Sequence, residues 1–247
     1  MKISNKKHLI VNADDFGQSR GVNRGIHEAH EHGIVTSASL MVRWPAAADA
    51  AAYSRAHPNL SIGIHVDLGE WAYRQGDWVP VYEVVPVDDV EAVKKEVASQ
   101  VATFRLILGK DPTHIDSHQH VHLREPVRSV LTDVARDLGI PLRHFSPTVQ
   151  YCGNFYGQTA EGYAFPNAIT VDGLLKTLTK LPPGVTELGC HPGDGNDLDT
   201  VYRSERAREV RTLCDPRVRT TLATLEIELG SFNDVVIGWT TEERDSN

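Results

Sequence analysis

Residues 9–17 read Leu-Ile-Val-Asn-Ala-Asp-Asp-Phe-Gly, an apolar run that ends in two adjacent carboxylates, Asp14 and Asp15, and then a glycine. The apolar run predicts a buried β-strand with both acidic groups at its carboxyl end. Paired aspartates after a strand often form only a turn or cap a helix. Parallel α/β folds also collect their functional groups at this end of the strands, so the other predicted strands decide between these interpretations.

A second polar stretch, residues 114–122, reads His-Ile-Asp-Ser-His-Gln-His-Val-His. Its four histidines and one aspartate recur at every second position, and they would share one face of an extended strand. Both residue types are poor core residues unless they are paired or bind a metal. A solvated strand or a His-rich surface tract is the simpler explanation. The rest of the chain favours the alternative, a divalent-metal site at the mouth of an enzyme.

Two further strand-like runs end in a histidine. Residues 62–68 read Ile-Gly-Ile-His-Val-Asp-Leu and contain His65, and residues 185–191 end in His191 directly before Pro192 and Gly193. A single histidine at a strand end is more often a structural group than a ligand. All four polar stretches nevertheless lie at the carboxyl ends of predicted strands, and this shared position indicates one common site.

Composition limits the class of protein. The chain has 247 residues, 40% of them hydrophobic, and a formal net charge of −8. This acidic balance, without a basic stretch, argues against nucleic acid and anionic membranes as partners. The length suits a single domain over residues 1–247. No signal peptide or membrane-length segment is recognisable, and the three cysteines lack metal-ligand spacing, so we expect a cytoplasmic protein with reduced thiols.

Apolar periodicity predicts alternating strands and helices. The predicted strands are residues 8–13, 36–42, 61–66, 112–116, 141–145, 185–190 and 225–232. The predicted helices are residues 20–32, 46–57, 88–108, 123–138, 171–181 and 203–213. Two longer segments, 69–87 and 146–169, are rich in aromatic residues, which suits walls around a sugar ring but also lids that simply pack.

Strands that alternate with helices predict a parallel sheet, because each helix is then a crossover connection. An open doubly wound sheet and a closed barrel both fit this pattern. Candidate functional residues come from five strand ends, and a barrel gathers strand ends around one axis. We therefore predict an α/β fold with a seven-stranded parallel (β/α) barrel that resembles a distorted TIM barrel.

One carboxylate and two histidines with open coordination positions form a hydrolytic or oxidative metal site. A second carboxylate can take a proton from water, and a histidine on the opposite side can protonate a leaving group. The chain supplies all of these groups. It contains no glycine-rich phosphate loop and no Gly-x-Ser-x-Gly motif, which argues against phosphate-loop and serine-nucleophile enzymes.

Together these motifs resemble the YdjC-like carbohydrate deacetylase family. The matching pieces are Asn-Ala-Asp-Asp-Phe-Gly at 12–17, Gly-Ile-Val-Thr-Ser-Ala-Ser-Leu-Met at 33–41, Gly-x-His at 63–65, the histidine run and Cys-His-Pro-Gly at 190–193. The resemblance covers nearly the whole chain. It implies a distorted seven-stranded β/α barrel and a metal-dependent hydrolase that removes N-acetyl groups from amino sugars, either in chitooligosaccharides or in glycolipids.

The resemblance also implies roles for individual residues. The metal ligands correspond to Asp15, His65 and His118, the general base to Asp14 and the general acid to His191. The family is often described with Mg²⁺, whereas two histidines and an aspartate suit Zn²⁺. The usual His-Leu-x-Leu after the first metal histidine is replaced in this chain by His-Val-Asp-Leu at 65–68, which leaves the substrate class open. Family members are often homodimers.

Three further residues are candidates for supporting roles. Arg143 follows a predicted strand and is expected to hold Asp14 ionised. Asp116 is expected to orient a histidine, as carboxylates near metal sites do. His120 lies past the strand end and is assigned to ligand support or substrate contact, and His122 is treated in the same way.

Two other functions remain open on the sequence. A metal-dependent phosphoesterase could use the same His-x-His run, but it would need more cationic residues at the strand ends than Arg143 alone. A sugar-binding barrel without activity is expected to have lost the base or the acid, and this chain retains candidates for both.

Overall fold

A curled parallel sheet forms the centre of the protein. The computed structural model describes residues 6–194, 197–198 and 200–237. The strands are β1 (Lys7–Phe16), β2 (Ser37–Leu40), β3 (Ser61–Val66), β4 (Gly69–Arg74), β5 (Asp77–Glu83), β6 (Ile115–Ser117), β7 (Val149–Cys152), β8 (Gly184–Cys190) and β9 (Ile227–Gly230). All but β4 and β5 belong to the central sheet, and those two form a separate antiparallel hairpin.

The helices alternate with these strands and cover the outside of the sheet. They are α1 (Arg20–Glu31), α2 (Ala47–Ala56), α3 (Val90–Leu108), α4 (Val127–Leu138), α5 (Val171–Thr179), α6 (Ser204–Leu213), α7 (Pro216–Thr224) and α8 (Phe232–Ile237). A 3₁₀ turn, His118–Leu123, follows β6 directly. This order confirms the predicted α/β class.

Strand β1 is the centre of the sheet, whose order is β6-β3-β2-β1-β8-β7. Its residues from Leu9 to Phe16 are all buried, as the apolar run predicted. The first half of β1 pairs with β9 and its second half with β2, while β8 pairs along the other edge. Two partners therefore share one edge of β1, which distorts the barrel.

One of the strands predicted from the sequence is absent from the structure. Residues 141–145 form no strand, and only an isolated bridge joins Leu142 to Ile115. His144 has φ 67, a left-handed conformation that cannot continue a strand. The seventh strand is β7, inside the segment 146–169 that was predicted to be a loop. No ladder among the described residues joins β6 to β7, so the curled sheet stays open between them.

Helix packing follows the predicted apolar faces. Ser19 caps α1 by accepting from the backbone N–H of Val22, and Val22, Ile26 and Ala29 face the core. Helix α3 ends at Gly109, whose φ of 70 suits a glycine C-cap. Within the described residues, none of the helices is both long and apolar enough to cross a bilayer.

Gly63 lies at a close approach in the core. A Cβ atom at this position would overlap the imidazole of His114. That ring cannot easily move away, because it stacks on Phe232 at a centroid distance of 3.8 Å and its Nε2 lies 3.1 Å from Ser39 Oγ. The absence of a side chain at residue 63 thus keeps β3 packed against β6.

Replacing Gly63 by Ala is therefore expected to destabilise the protein by about 1–3 kcal/mol, the usual cost of overpacking a core. Urea unfolding measures this cost. In a His114→Ala background the cost should fall markedly, since the obstructing ring is gone. Equal costs in the two backgrounds would show that the clash with His114 is not the cause.

Candidate active site

A β-bulge directs both side chains of the Asp14–Asp15 pair toward the same site. Between the pairs Ala13–Ala38 and Phe16–Leu40, strand β1 contains one more residue than β2. Asp15 has φ 65, so the chain direction changes at the bulge. Adjacent residues of a regular strand would point to opposite faces. The change of direction therefore begins at Asp15, before the glycine at residue 17.

Three of the predicted residues meet at the carboxyl ends of β1, β3 and β6. The Oδ1 atom of Asp15 lies 3.3 Å from His65 Nε2 and 3.1 Å from His118 Nδ1. All three side chains are buried, and one ligand atom from each lies within 4.8 Å of the others. His118 Nε2 is buried without a hydrogen-bond partner among the described residues. One oxygen and two imidazole nitrogens are a donor set that fits a divalent cation.

Asp116 orients His65. Its Oδ1 lies 2.7 Å from His65 Nδ1, so the other ring nitrogen, Nε2, faces Asp15. Metal-binding histidines commonly use their second nitrogen in this way. Burial opposes the charged form of His65, but Asp116 and Asp15 outweigh it and raise its pKa to about 10. Burial also opposes the charged form of His118, but Asp15 and Glu70 outweigh it and raise the pKa of His118 to about 9.

Asp15 also binds a buried arginine that the sequence did not single out. Arg206 Nη2 on α6 lies 2.6 Å from Asp15 Oδ2. Burial raises the pKa of Asp15, yet the Arg206 charge and the two histidines hold it well below its usual range. The carboxylate therefore stays ionised and has one oxygen on the arginine and the other toward the imidazoles.

A second buried arginine holds three carboxylates. Arg143 forms two hydrogen bonds to Asp14, of 2.6 and 2.7 Å, and lies 2.7 Å from Asp116 and 2.6 Å from Glu187. Despite burial, the Arg143 charge lowers the pKa of Asp14, so Asp14 remains a carboxylate. The expected contact between Arg143 and Asp14 is therefore present. The same guanidinium links Asp14 to Asp116 and through it to His65.

His191 faces the same centre from the end of β8. Its Nε2 lies 3.7 Å from Asp14 Oδ2, and its backbone N–H donates to Glu209. Burial lowers the pKa of His191 to about 4, although Asp14 and Asp15 oppose the shift. The resting imidazole is therefore neutral near pH 7, and it must take up a proton before it can act as an acid.

The histidine run does not share one strand face throughout. Strand β6 ends at Ser117, and Gln119 and His120 then adopt left-handed φ values of 49 and 52. His118 reaches the Asp15 centre, whereas His120 and His122 turn toward His144. Gln119 instead bonds the hairpin, with both side-chain amide atoms within 2.9 Å of the backbone of Trp71.

The centre opens into a cavity of about 800 Å³. The hairpin β4–β5 and the segment after β7 form its walls, as the aromatic segments predicted. The aromatic side chains that line it are Trp71, Tyr73, Trp78, Tyr151, Phe155, Tyr156 and Tyr202. Tyr82, Tyr163 and Phe165 are not part of this lining, and Tyr82 donates to Asp67 instead.

Three charged residues of the site, Glu70, Glu187 and Arg206, are not among the candidates predicted from the sequence. Glu187 was detectable, because it is an acidic residue inside the apolar strand β8. Glu70, whose Oε2 lies 3.8 Å from His118 Nε2, falls in the stretch that departs from the family pattern. The sequence does not distinguish Arg206 from the other charged residues of α6, and only the packing of the helix shows that this side chain is buried.

Glu187 makes stability depend on pH. Burial, reinforced by Asp116 and Asp14, raises its pKa from 4.5 to about 7, although Arg143 opposes the shift. The folded state thus retains this proton at pH values where the unfolded chain has lost it. The contribution of Glu187 to stability therefore falls as the pH rises from about 5 to 7, by at most about 1.4 kcal/mol per pH unit.

Glu187→Gln removes this titration, and its amide can still accept from Arg143. Relative to the unsubstituted protein, the variant should gain stability between pH 5 and pH 8, as measured by urea unfolding at each pH. Glu83→Gln, at an exposed position on β5, controls for the loss of a surface charge. A difference between Glu187→Gln and the parent that does not change with pH would contradict the raised pKa.

The chain is similar in sequence to proteins named as carbohydrate deacetylases. The chitooligosaccharide deacetylase of Serratia marcescens is 30% identical over 265 residues, which cover 93% of this chain and 100% of that protein. The carbohydrate deacetylase of Geobacillus stearothermophilus is 32% identical over 249 residues, with coverage of 92% and 98%.

Solved structures give the same fold. A crystal structure from Enterococcus faecalis V583, provisionally described as a cellobiose-phosphate cleavage protein, has a TM-score of 0.75 at 27% identity and covers 93% of this chain and 99% of that one. A family 4 carbohydrate esterase from Streptomyces lividans, at 13% identity, has a TM-score of 0.55 with 96% of each chain covered, a likeness of fold alone. The family model described as YdjC-like protein matches residues 8–224. The chain therefore belongs to the YdjC-like family.

Proposed function

We propose that this protein is a metal-dependent hydrolase that removes an N-acetyl group from an amino sugar or a chitooligosaccharide-type substrate. The observation that carries the proposal is the paired arrangement of two aspartates. Asp15 faces two imidazoles in a donor set suited to a cation, and Asp14 is held ionised beside it by Arg143. The relatives named as carbohydrate and chitooligosaccharide deacetylases support the substrate class.

Asp15, His65 and His118 would hold the cation. When bound, the cation would polarise the acetyl carbonyl and lower the pKa of a water molecule. Two imidazole nitrogens and one carboxylate oxygen favour Zn²⁺, while Mg²⁺ is the ion expected from the family. The hydrogen bond from His65 to Asp116 supports the ligand role, because it fixes the ring with Nε2 toward Asp15.

Asp14 is the proposed general base. It is ionised, since Arg143 lowers its pKa, and it lies next to Asp15 in the chain. A carboxylate at this position can accept the proton of the attacking water while Arg143 and Asn12 hold its orientation. The bidentate guanidinium leaves the carboxylate little freedom to rotate away from the acetyl group.

His191 is the proposed general acid. An amide nitrogen needs a proton in order to leave as an amine, and a neutral imidazole must first receive that proton. Asp14 Oδ2 lies 3.7 Å from His191 Nε2, which is longer than a hydrogen bond, so the proton taken from water would pass to His191 after the two side chains approach by a few tenths of an ångström. His191 then protonates the leaving nitrogen. The low pKa of His191 favours this donation, because the imidazolium releases its proton readily.

The cavity walls support a sugar substrate. Trp71, Tyr73 and Trp78 of the hairpin line the cavity, and the side chain of Trp78 is half exposed. Aromatic rings with apolar faces and polar edges suit the stacking of a sugar ring. A cavity of about 800 Å³ has room for more than one sugar unit.

The phosphoesterase alternative has less support at the strand ends. Arg143 and Arg206 are the buried cations there, and both are already paired with carboxylates. Neither guanidinium is available to hold a phosphate without breaking an ion pair. A purely sugar-binding role is also disfavoured, because the chain retains both the carboxylate and the histidine that we propose as base and acid, Asp14 and His191.

We also propose that the enzyme acts in the cytoplasm. The three cysteines are free thiols in the structure, which is compatible with a reducing compartment.

Acetate release from N-acetylated mono- and oligosaccharides tests the proposal directly. We expect activity that a chelator abolishes and added divalent metal restores. Asp14→Asn should retain metal by elemental analysis but lose 10²–10⁴-fold of the rate, roughly the contribution of a positioned base. Asp14→Asn with near-normal turnover would place the base elsewhere, and chelator-resistant release of acetate would contradict metal dependence.

His191→Ala distinguishes an acid from a structural residue. The variant should hydrolyse an N-acetyl sugar far more slowly, while an activated aryl acetate, whose leaving group needs no proton, should be affected much less. Initial rates on both substrates measure the ratio. Equal slowing of the two substrates would instead indicate a role of His191 in folding or substrate placement.

A further inference from the structure

Three histidines meet beside the Asp15–His65–His118 group without sharing a residue with that group. His120 and His122 lie in the turn after β6, and His144 follows Arg143. One ring nitrogen from each histidine lies within 4.8 Å of the other two. Their ring centroids are 5.2–5.8 Å apart. No carboxylate belongs to this group of described residues.

The free ring nitrogens of two of these histidines are buried. His122 Nδ1 lies 2.6 Å from Ser117 Oγ, and His120 Nε2 lies 3.4 Å from the hydroxyl of Tyr151. The opposite nitrogens, His122 Nε2 and His120 Nδ1, are buried and lack a hydrogen-bond partner within the described part of the chain. Buried polar atoms are rarely left without a partner. A histidine with one nitrogen bonded and the other unpartnered is in the state that a metal ligand requires.

The backbone holds two of the rings in place. His120 and His144 have φ values of 52 and 67, in the left-handed region. Residues other than glycine seldom adopt this conformation, and those that do cluster at functional sites. A regular strand would have carried His120 away from His144.

The charges around the three rings also allow a cation to bind. The positive charge of Arg143, which adjoins His144, is balanced by Asp14, Asp116 and Glu187, so it does not leave a net cation beside the cluster.

We propose that His120, His122 and His144 form a second metal site, which takes a transition-metal cation of the Zn²⁺ type. Three imidazole nitrogens with no carboxylate favour Zn²⁺ and similar ions over Mg²⁺, which prefers oxygen ligands. Nitrogens about 2.0–2.1 Å from a tetrahedral zinc are about 3.4 Å apart, so the three ring nitrogens, which lie within 4.8 Å of one another, would move closer together when a cation binds. His144 is exposed and provides a route for the ion.

A cation at this position would join two segments that the sheet holds together only weakly. The turn 118–123 begins with His118, and His144 adjoins Arg143, which holds Asp14. An isolated bridge pairs Ile115 with Leu142, and no ladder among the described residues extends it as far as the turn. The second site thus fixes the metal-ligand turn relative to the arginine of the base, and His120 is a ligand rather than a contact for substrate.

Metal stoichiometry tests this proposal independently of catalysis. Purified apoprotein is titrated with Co²⁺ and with Zn²⁺, and bound equivalents are counted by absorption and elemental analysis. The unsubstituted protein should bind two equivalents, and His118→Ala and His144→Asn one each. The double variant should bind none. Asn suits position 144 because it tolerates left-handed backbone and lacks the imidazole. His32→Asn, at an exposed position, is the matched control and should bind two.

Two results would overturn the second site: unchanged stoichiometry in His144→Asn, or complete loss of metal in His118→Ala alone. Loss of one equivalent in His144→Asn with none lost in His118→Ala would support the second site and contradict the catalytic one. Circular dichroism checks that each variant is folded. Anomalous diffraction at the zinc edge, with the unsubstituted protein, should give a peak between the three imidazoles. A peak only beside Asp15 would overturn the proposal even if a variant fails to fold.

Discussion

The buried guanidinium of Arg143 is the interaction on which the site depends. It lies within 2.7 Å of Asp14, Asp116 and Glu187, all of them buried. Three carboxylates this close would repel one another and could not all stay ionised without a cation among them. The pKa of Glu187 nevertheless rises to about 7, whereas Asp14 and Asp116 remain ionised. One arginine thus keeps Asp14 charged and aligns the aspartate that orients His65.

Arg206 neutralises Asp15 in the same way that Arg143 neutralises Asp14. Each aspartate of the adjacent pair has its own buried arginine, Arg143 for Asp14 and Arg206 for Asp15. The bulge in β1 makes this separation possible, because it turns neighbouring carboxylates toward different partners within one site. Neutralisation by separate cations allows two anions to lie side by side, one suited to accept a proton and the other to face a metal.

The sheet pairs β1 on both edges, whereas the segments that carry His118 and Arg143 lie beyond its strand pairing. Strand β1 is buried on both faces and pairs with three strands, so the backbone that carries the two aspartates is held in place. His118, His120 and Arg143 lie where the sheet stays open, on the turn 118–123 and near residue 142. Side-chain bonds, such as that of Gln119 to Trp71, hold this region and the hairpin together.

The sequence by itself determined the α/β class, most helices, and the placement of Asp14, Asp15, His65, His118 and His191 at strand ends. Periodicity reports which face of an element is buried, and parallel strands bring their carboxyl ends together. Only the tertiary structure decided that β7 replaces the strand expected at 141–145, that Asp15 turns at a bulge, and that Arg206 pairs with Asp15. The last contact joins residues 191 positions apart. No local pattern encodes which distant charge will neutralise a buried one, because that depends on how separate elements pack.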